Sequence, residues 1–203
     1  MIPPLCFITD AAAPATVPDQ ALAAARGGAG WVQLRDKTLS DADFAELARQ
    51  LMPLLAEQGA ALIVNDRVEV ARAIGAPGLH VGQGDGDPAR IRDRIGPQMI
   101  LGLSVEDPTQ LSRVPQGVDY LGVGPLYATR SKADHAPPIG PEGFARIAGA
   151  TDLPCLAIGG VTVADAAAVR AAGGAGLAVV SAISRAEDMQ AAAADLLSAW
   201  RGA

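Results

Sequence analysis

The chain has 203 residues, half of them apolar, and its 22 acidic and 16 basic residues give a net charge of −6. This length and composition suffice for the core of one domain, and we expect a single domain over 1–203. The acidic balance, with no Lys/Arg run, no long apolar stretch and no secretion signal, argues against nucleic-acid and membrane partners and favours a cytoplasmic location.

Eight short runs of strand-forming residues recur along the chain from its N-terminus onward. Several of them are apolar throughout, which is typical of strands that are buried on both faces of a sheet. The runs predict strands at 5–8, 31–34, 61–64, 78–81, 99–103, 119–123, 155–158 and 176–180.

Helical patterns fill most of the intervals between these strands. The clearest covers 40–59, where Ser40 is a predicted N-cap and Gly59 a predicted stop. Its predicted apolar face carries Phe44, Leu47, Leu51 and Leu54. Further helices are predicted within 66–75, 87–96, 107–114, 140–149, 162–174 and 186–200.

The alternation of strands and helices predicts parallel strands joined by right-handed crossovers, that is, an α/β fold. Eight such units favour a closed (β/α)₈ or TIM barrel, at the short end of that fold's length range. A doubly wound open sheet is the alternative, but it requires a Gly-rich fingerprint after the first strand, and "ITDAAAPATVPD" contains none.

The two cysteines, Cys6 and Cys155, each lie within a short apolar run. This position favours a role as small core residues over a redox or metal-binding role. The sequence also contains no Cys/His cluster with the spacing of a metal site.

The C-terminal ends of the predicted strands carry polar groups, and in a barrel these ends meet at one mouth. The residues at these ends, with polar side chains or with free backbone amides, are Asp10, Gln33, Arg35, Lys37, Asn65, Asp66, Gln83, Asp85, Ser104, Thr129, Ser131, Lys132, Gly159, Gly160, Val180 and Ser181. We therefore expect the functional site at this mouth.

Three of these residues, Arg35, Lys37 and Lys132, supply positive charge in a chain that is acidic overall. Guanidinium and ammonium groups suit phosphate oxygens, so they predict a phosphorylated substrate. Asp66 and Asp85 are hard oxygen ligands, and two carboxylates beside a diphosphate predict a Mg²⁺ ion whose remaining ligands are substrate oxygens and waters.

A second phosphate subsite is predicted where the seventh and eighth strands end. The Gly159–Gly160 turn and the Val180–Ser181 junction offer backbone amides at the position where barrels of this class hold a monophosphate.

Several of these residues could instead have a purely structural role. Arg35 could pair with Asp36 or Asp66, and Ser181 could cap a helix. His80, inside the fourth predicted strand, is predicted to be a packed core residue rather than a catalyst.

The segment 124–140 is the longest connection without a pattern, and its length favours a binding loop that covers the site. The chain contains no nucleophile elbow, no Cys/His pair with an orienting group and no conspicuous general base. The predicted chemistry therefore depends on electrostatics.

Motifs along the whole chain resemble those of one family, the thiamine phosphate synthases. They are "ITD" at 8–10, "VQLRDK" at 32–37, "LIVNDRVEVA" at 62–71, "GLHVGQGD" at 78–85, "ILGLSV" at 100–105, "DYLGVGPLYATRSK" at 119–132, "LAIGGV" at 156–161 and "LAVVSAI" at 177–183. Each motif alone is weak, whereas their joint order and spacing are specific.

The resemblance implies a (β/α)₈ barrel that joins 4-amino-2-methyl-5-(diphosphooxymethyl)pyrimidine to 4-methyl-5-(2-phosphooxyethyl)thiazole and releases diphosphate. It implies that Asp66 and Asp85 bind Mg²⁺, and that Arg35, Lys37, Ser104 and Lys132 are catalytic. The implied substrate-binding residues are Gln33, Arg35, Asp36, Lys37, Asn65, Ser104, Thr129, Arg130, Ser131, Lys132, Gly160, Val180 and Ser181.

In such a reaction the bond between the pyrimidine and the diphosphate breaks first, and the thiazole nitrogen captures the resulting cation. A departing diphosphate needs charge neutralisation, while a free lone pair needs no base, which agrees with the predicted electrostatic chemistry. One departure from the family pattern is Glu106, two residues after Ser104, which places an acid near the mouth.

Three other functions remain open at this point. A thiazole tautomerase on the same barrel would lack the Arg/Lys and Asp pairs and would have a His where Gly124–Pro125 stands. A catalytically silent barrel could bind thiamine precursors as a regulator. A phosphosugar epimerase would require paired acid and base groups at the mouth.

Overall fold

The computed structural model describes residues 2–129 and 136–202, and its eight strands form one closed parallel barrel in chain order. Pairing of the first strand with the last closes it. The predicted barrel is confirmed, and the closure rules out an open sheet. The strands are β1 (Leu5–Ile8), β2 (Trp31–Leu34), β3 (Ala61–Asn65), β4 (Gly78–Val81), β5 (Ile100–Val105), β6 (Tyr120–Val123), β7 (Cys155–Ile158) and β8 (Gly176–Val179).

Helices surround the barrel and connect successive strands. They are α1 (Val17–Arg26), α2 (Asp41–Glu57), α3 (Val68–Ile74), α4 (Pro88–Ile95), α5 (Gly140–Ala148), α6 (Ala166–Ala171), α7 (Ser181–Ser184) and α8 (Met189–Arg201), with 3₁₀ helices at Pro108–Arg113 and Val163–Asp165.

Two connections differ from the sequence prediction. The helix predicted within 107–114 is a 3₁₀ helix, because Pro115 holds Val114 in an extended conformation and leaves too few residues for an α-helix. Helix α1 was not predicted, because its buried face consists of three alanines and Gln20 and therefore carries little hydrophobic periodicity.

Helix α2 begins as predicted, with the Ser40 hydroxyl accepting a hydrogen bond of 3.1 Å from the Asp43 amide. Its buried face differs at two of the four predicted positions: Ala48 and Leu55 are fully buried, whereas Leu47 is partly buried and Leu54 is 40% exposed. At 3.6 residues per turn, Leu55 lies only about 20° around the helix from Phe44 and Leu54 about 80°. The prediction of Leu54 as a core residue is therefore wrong.

This difference gives a stability prediction with a built-in control. Leu55→Ala is expected to lower the free energy of unfolding by about 2–5 kcal/mol, because it leaves a cavity among buried side chains. Leu54→Ala removes the same atoms from a solvent-facing position and is expected to cost less than about 1 kcal/mol. Denaturant titration of both variants checks this, and equal losses would contradict the assignment of the buried face.

Two apolar clusters lie on either side of the barrel wall, one beneath the helices and one in the barrel interior. Strand β2 contributes to both, because alternate side chains of a strand point to opposite faces. Val32 and Leu34 pack beneath the helices, whereas Trp31 packs in the interior. Gln33, Arg35 and Lys37, which follow Trp31 at every second position, are thereby directed to the interior and the mouth.

Both cysteines are buried, as predicted. Burial raises the pKa of the Cys6 thiol to about 12 and that of the Cys155 thiol to about 11, so neither forms a reactive thiolate near neutral pH. In the described part of the chain no helix combines the length and the apolar character needed to cross a bilayer.

Candidate active site

A cavity of about 350 Å³ opens at the C-terminal ends of the strands, and residues at the end of every strand line it. Most residues predicted from the sequence for the site are brought together there. They are Gln33, Arg35, Lys37, Asn65, Asp66, Asp85, Ser104, Thr129, Gly160, Val180 and Ser181.

Gln83 and Gly159 line the cavity as well. Asp10 does not line it; its carboxylate accepts from the Ala12 amide at 3.0 Å and from the Arg185 guanidinium at 3.2 Å.

The other four predicted residues are Asp36 and three residues that follow Thr129. Arg130, Ser131 and Lys132 lie outside the described residues. Asp36 does not line the cavity. Its Oδ1 accepts hydrogen bonds from the Thr38 amide and hydroxyl, both at 2.7 Å, so its carboxylate stabilises the turn after β2.

The backbone of Arg35 is fixed against β1, while its side chain is left available. The Arg35 amide donates to Thr9 Oγ1 at 2.9 Å, and the Thr9 hydroxyl donates to the Arg35 carbonyl at 3.2 Å. The half-buried guanidinium has no hydrogen bond or ion pair with any described residue, so it pairs with neither Asp36 nor Asp66. A cation without a protein partner is suited to an anionic ligand.

Asp66 lies at the end of β3 in a left-handed conformation, with φ of 51°. Its amide donates to the His80 carbonyl at 2.8 Å, which holds this turn against β4. The Oδ2 atom forms an ion pair with the Lys37 ammonium and accepts a bond of 2.7 Å from the Asn65 amide group. No described residue bonds to the other oxygen, Oδ1.

Asp85 closes the tight turn that follows β4. The Gly82 amide donates to its Oδ2 at 2.7 Å, and the Asp85 amide donates to the Gly82 carbonyl at 3.2 Å. Its Oδ1 is also without a partner among the described residues. The cavity thus carries two carboxylates, each with one available oxygen.

These two carboxylates suit a hard cation such as Mg²⁺, which binds proteins through one or two carboxylates and takes its other ligands from waters and phosphates. In the described residues no group of three or more His, Cys, Asp or Glu side chains is arranged to hold a metal by itself. An ion held by Asp66 and Asp85 would have no third His, Cys, Asp or Glu ligand from the described residues.

The opposite side of the cavity is formed by the ends of β7 and β8. Gly159 and Gly160 have φ values of 88° and 69°, and a Cβ on Gly159 would lie 2.4 Å from Pro125 Cβ. Glycine is therefore required where this turn packs on the segment after β6. The hydrogen bonds between described residues do not use the amides of Gly160 or Ser181, which leaves two donors at the cavity wall.

The sequence interpretation missed a polar group in the cavity floor. His80 is buried, as predicted, but it lines the cavity and bonds to Ser104 Oγ at 3.0 Å and to Tyr120 Oη at 2.9 Å. The signal was present in the strand alternation, because Leu79 and Val81 pack beneath the helices and place His80 inward. Glu106 also lines the cavity, in agreement with the acid that the sequence placed near the mouth.

Comparison with known proteins identifies the family. The protein-family model described as thiamine monophosphate synthase matches residues 5–183 of this chain. A thiamine-phosphate synthase of Laribacter hongkongensis is 49% identical over 174 residues, which are 86% of this chain and 82% of that protein. The thiamine-phosphate synthase of Chlorobium luteolum is 39% identical over 198 residues, which are 97% and 92% of the two chains.

A solved structure agrees with these relatives. The thiamine phosphate pyrophosphorylase from Pyrococcus furiosus superposes with a TM-score of 0.86 at 31% identity, over 98% of this chain and 95% of that one. The resemblance predicted from the sequence motifs is thus confirmed by a family model over most of the chain and by close relatives of similar length. The chain belongs to the thiamine monophosphate synthase family.

Proposed function

We propose that this chain is a transferase that joins the pyrimidine diphosphate to the thiazole phosphate, giving thiamine phosphate and diphosphate. The observation that carries the proposal is the Arg35 guanidinium, which has no partner among the described residues. It shares one cavity with Lys37 and with two carboxylates, each of which keeps one oxygen that no described residue bonds. This set of charges matches a diphosphate with a divalent cation.

In this proposal the diphosphate binds on the side of the cavity formed by β2 to β4. Arg35 and Lys37 bind its oxygens, with Lys132 from the loop after β6 as a further cation. Asp66 and Asp85 hold Mg²⁺ through their available oxygens. Mg²⁺ bound there supplies neutralisation of the negative charge that builds up on the departing diphosphate.

The thiazole phosphate binds on the opposite side, formed by β7 and β8. The amides of Gly160 and Ser181 donate to its phosphate, with Val180 beside them and Thr129 to Ser131 as further contacts. A pre-arranged set of backbone donors binds a phosphate without a counter-charge, because each amide carries a partial positive charge.

The chemistry proposed for this arrangement is dissociative. The pyrimidine–diphosphate bond breaks as Arg35 and Lys37 stabilise the leaving group, and the thiazole nitrogen then attacks the pyrimidine cation with its lone pair. No proton has to be removed from the nucleophile. Burial lowers the pKa of His80 to about 4, so His80 is neutral near pH 7 and adds no positive charge beside the cation.

The thiazole tautomerase alternative is disfavoured by the same residues. It has no use for a diphosphate site, yet Arg35, Lys37, Asp66 and Asp85 all line the cavity. The position where it would need a His is occupied by the Gly124–Pro125 pair.

A coupling assay tests the proposal. The purified chain with Mg²⁺, the pyrimidine diphosphate and the thiazole phosphate is expected to produce thiamine phosphate and diphosphate in equal amounts. Reactions that lack either substrate are the controls. If the complete mixture yields no thiamine phosphate while the chain is folded, the proposed activity is wrong and the silent-barrel alternative is favoured.

A further inference from the structure

Three side chains form a hydrogen-bonded chain from the barrel interior to the cavity. The Tyr120 hydroxyl lies 2.9 Å from His80 Nδ1, and His80 Nε2 lies 3.0 Å from Ser104 Oγ. Tyr120 is 1% exposed and His80 7% exposed, whereas Ser104 is half-buried and lines the cavity. Ser104 is therefore the end of the chain that a ligand can reach.

The two rings in this chain fit a closely defined space. A Cβ on Gly102 would lie 2.2 Å from Tyr120 Cζ, and one on Gly122 would lie 3.0 Å from His80 Cε1. Trp31 also packs on Tyr120, with ring centroids 4.8 Å apart. The rings occupy the room that two glycines leave, and this packing restrains both orientations.

The protonation states of His80 and Tyr120 limit the directions that the two hydrogen bonds of this chain can take. Burial lowers the pKa of His80 to about 4 and raises the pKa of Tyr120, so near pH 7 the imidazole is neutral and the phenol keeps its hydrogen. A neutral imidazole donates from one ring nitrogen and accepts at the other. Two arrangements are therefore possible along the chain.

In one arrangement, His80 Nδ1–H donates to Tyr120 and the Ser104 hydroxyl donates to Nε2. The Tyr120 hydrogen then has no acceptor, because His80 is the one hydrogen-bond partner of this hydroxyl among the described residues. An unsatisfied buried donor is costly. In the other arrangement, Tyr120 donates to Nδ1, Nε2–H donates to Ser104 Oγ, and both buried donors are satisfied.

We propose that Tyr120 and His80 act as positioning residues that fix the Nε2–H tautomer, so that Ser104 presents its hydroxyl to the cavity as a hydrogen-bond donor. Because Oγ already accepts from His80, the serine hydrogen is directed to the ligand. The cavity floor then selects a ligand with an acceptor atom at this point.

The identity of that ligand rests on the proposed function. A pyrimidine ring offers nitrogen lone pairs as acceptors, so we assign one ring nitrogen of the pyrimidine diphosphate to Ser104. A ring with C–H at that position would leave the serine hydrogen without an acceptor. A ring with N–H there would place a second donor against it. The tautomer itself does not depend on this assignment.

Nitrogen-15 NMR of histidine-labelled protein near pH 7, without substrates, tests the tautomer directly. The chain has two histidines, and a His135→Gln variant assigns the His80 signals. We expect a hydrogen on Nε2 and none on Nδ1, and we expect Tyr120→Phe to produce a mixture of both tautomers. A wild-type spectrum with hydrogen on Nδ1 overturns the proposal.

A double-mutant cycle tests whether Tyr120 acts through Ser104. Tyr120→Phe alone is expected to lower kcat/KM of the coupling reaction about tenfold, the value of one hydrogen bond of about 1.4 kcal/mol. In the Ser104→Ala background the same change is expected to have little further effect, and additive losses would overturn the relay. Tyr127→Phe, which removes a hydroxyl bonded to Asp165 outside the cavity lining, is the matched control.

Substrate analogues provide the last readout. Replacing each pyrimidine ring nitrogen by C–H in turn should give one analogue that wild type uses about tenfold less well than the parent substrate, with the discrimination lost in Ser104→Ala. Equal use of both analogues and the parent substrate by wild type contradicts the assignment. If wild type makes no thiamine phosphate at all, the proposed function fails, while the NMR result still decides the tautomer.

Discussion

Arg35→Ala is expected to lower kcat/KM of the coupling reaction by about a hundredfold or more, with little change in stability. Removing one preorganised donor from a developing charge costs about 3 kcal/mol of transition-state stabilisation. The guanidinium has no partner among the described residues, so its loss leaves no protein group unpaired. The free energy of unfolding should change by less than about 0.5 kcal/mol. Steady-state kinetics and denaturant titration on the same preparation measure both quantities.

Two further variants sharpen this result. Arg35→Lys keeps the charge but loses the planar fork, so its activity should lie between those of wild type and Arg35→Ala. Arg49→Ala removes an arginine that is half-exposed on α2 and should leave the kinetics unchanged. If Arg35→Ala retained full activity but unfolded more readily, Arg35 would have a structural role.

Removal of Mg²⁺ is expected to abolish turnover. In the proposed site Asp66 and Asp85 supply two carboxylates, so a bound ion would also take diphosphate oxygens as ligands, and the diphosphate would depart less readily without it. An excess of chelator should reduce product formation to background, and added Mg²⁺ should restore it. Equal turnover with and without chelator would contradict the assigned role of the ion.

Asp85→Asn provides the corresponding variant. The amide oxygen can still accept from the Gly82 amide, so the turn should remain folded, while the negative charge is lost. We expect a higher Mg²⁺ concentration at half-maximal activity and a lower maximal rate. Asp93→Asn changes the same atoms at an exposed position on α4 and is the control. An unchanged Mg²⁺ requirement in Asp85→Asn would remove Asp85 from the metal site.

The fold was predictable because the strands are short, mostly apolar runs and a helical pattern follows most of them. Prediction failed where the buried residues were alanines, as in α1, and where a nearby proline shortened a helix, as before Pro115. It also failed at Leu54, where adjacent leucines left the centre of the buried face undecided. In each case the missing information was packing, which a periodicity pattern does not contain.

The site was predictable in part for a geometric reason. Parallel strands deliver their C-terminal residues to one mouth, so Arg35, Asp66 and Asp85 could be grouped before any distance was known. Asp36 lies outside the cavity lining because its short side chain turns back to the backbone amides of Thr38 and Leu39. The partners of His80 escaped prediction because Ser104 and Tyr120 lie on two other strands, and their contact depends on the register of the barrel.

In the proposed function, the ion pair between Lys37 and Asp66 couples metal binding to diphosphate binding. A cation bound to Asp66 Oδ1 would weaken the attraction of the carboxylate for the ammonium, and a diphosphate would compete with the carboxylate for the ammonium. When the metal and the diphosphate bind together, the Asp66 carboxylate pairs with the metal and the Lys37 ammonium pairs with the diphosphate. Each ligand should therefore bind more tightly in the presence of the other, a reciprocal linkage built into a single pair of side chains.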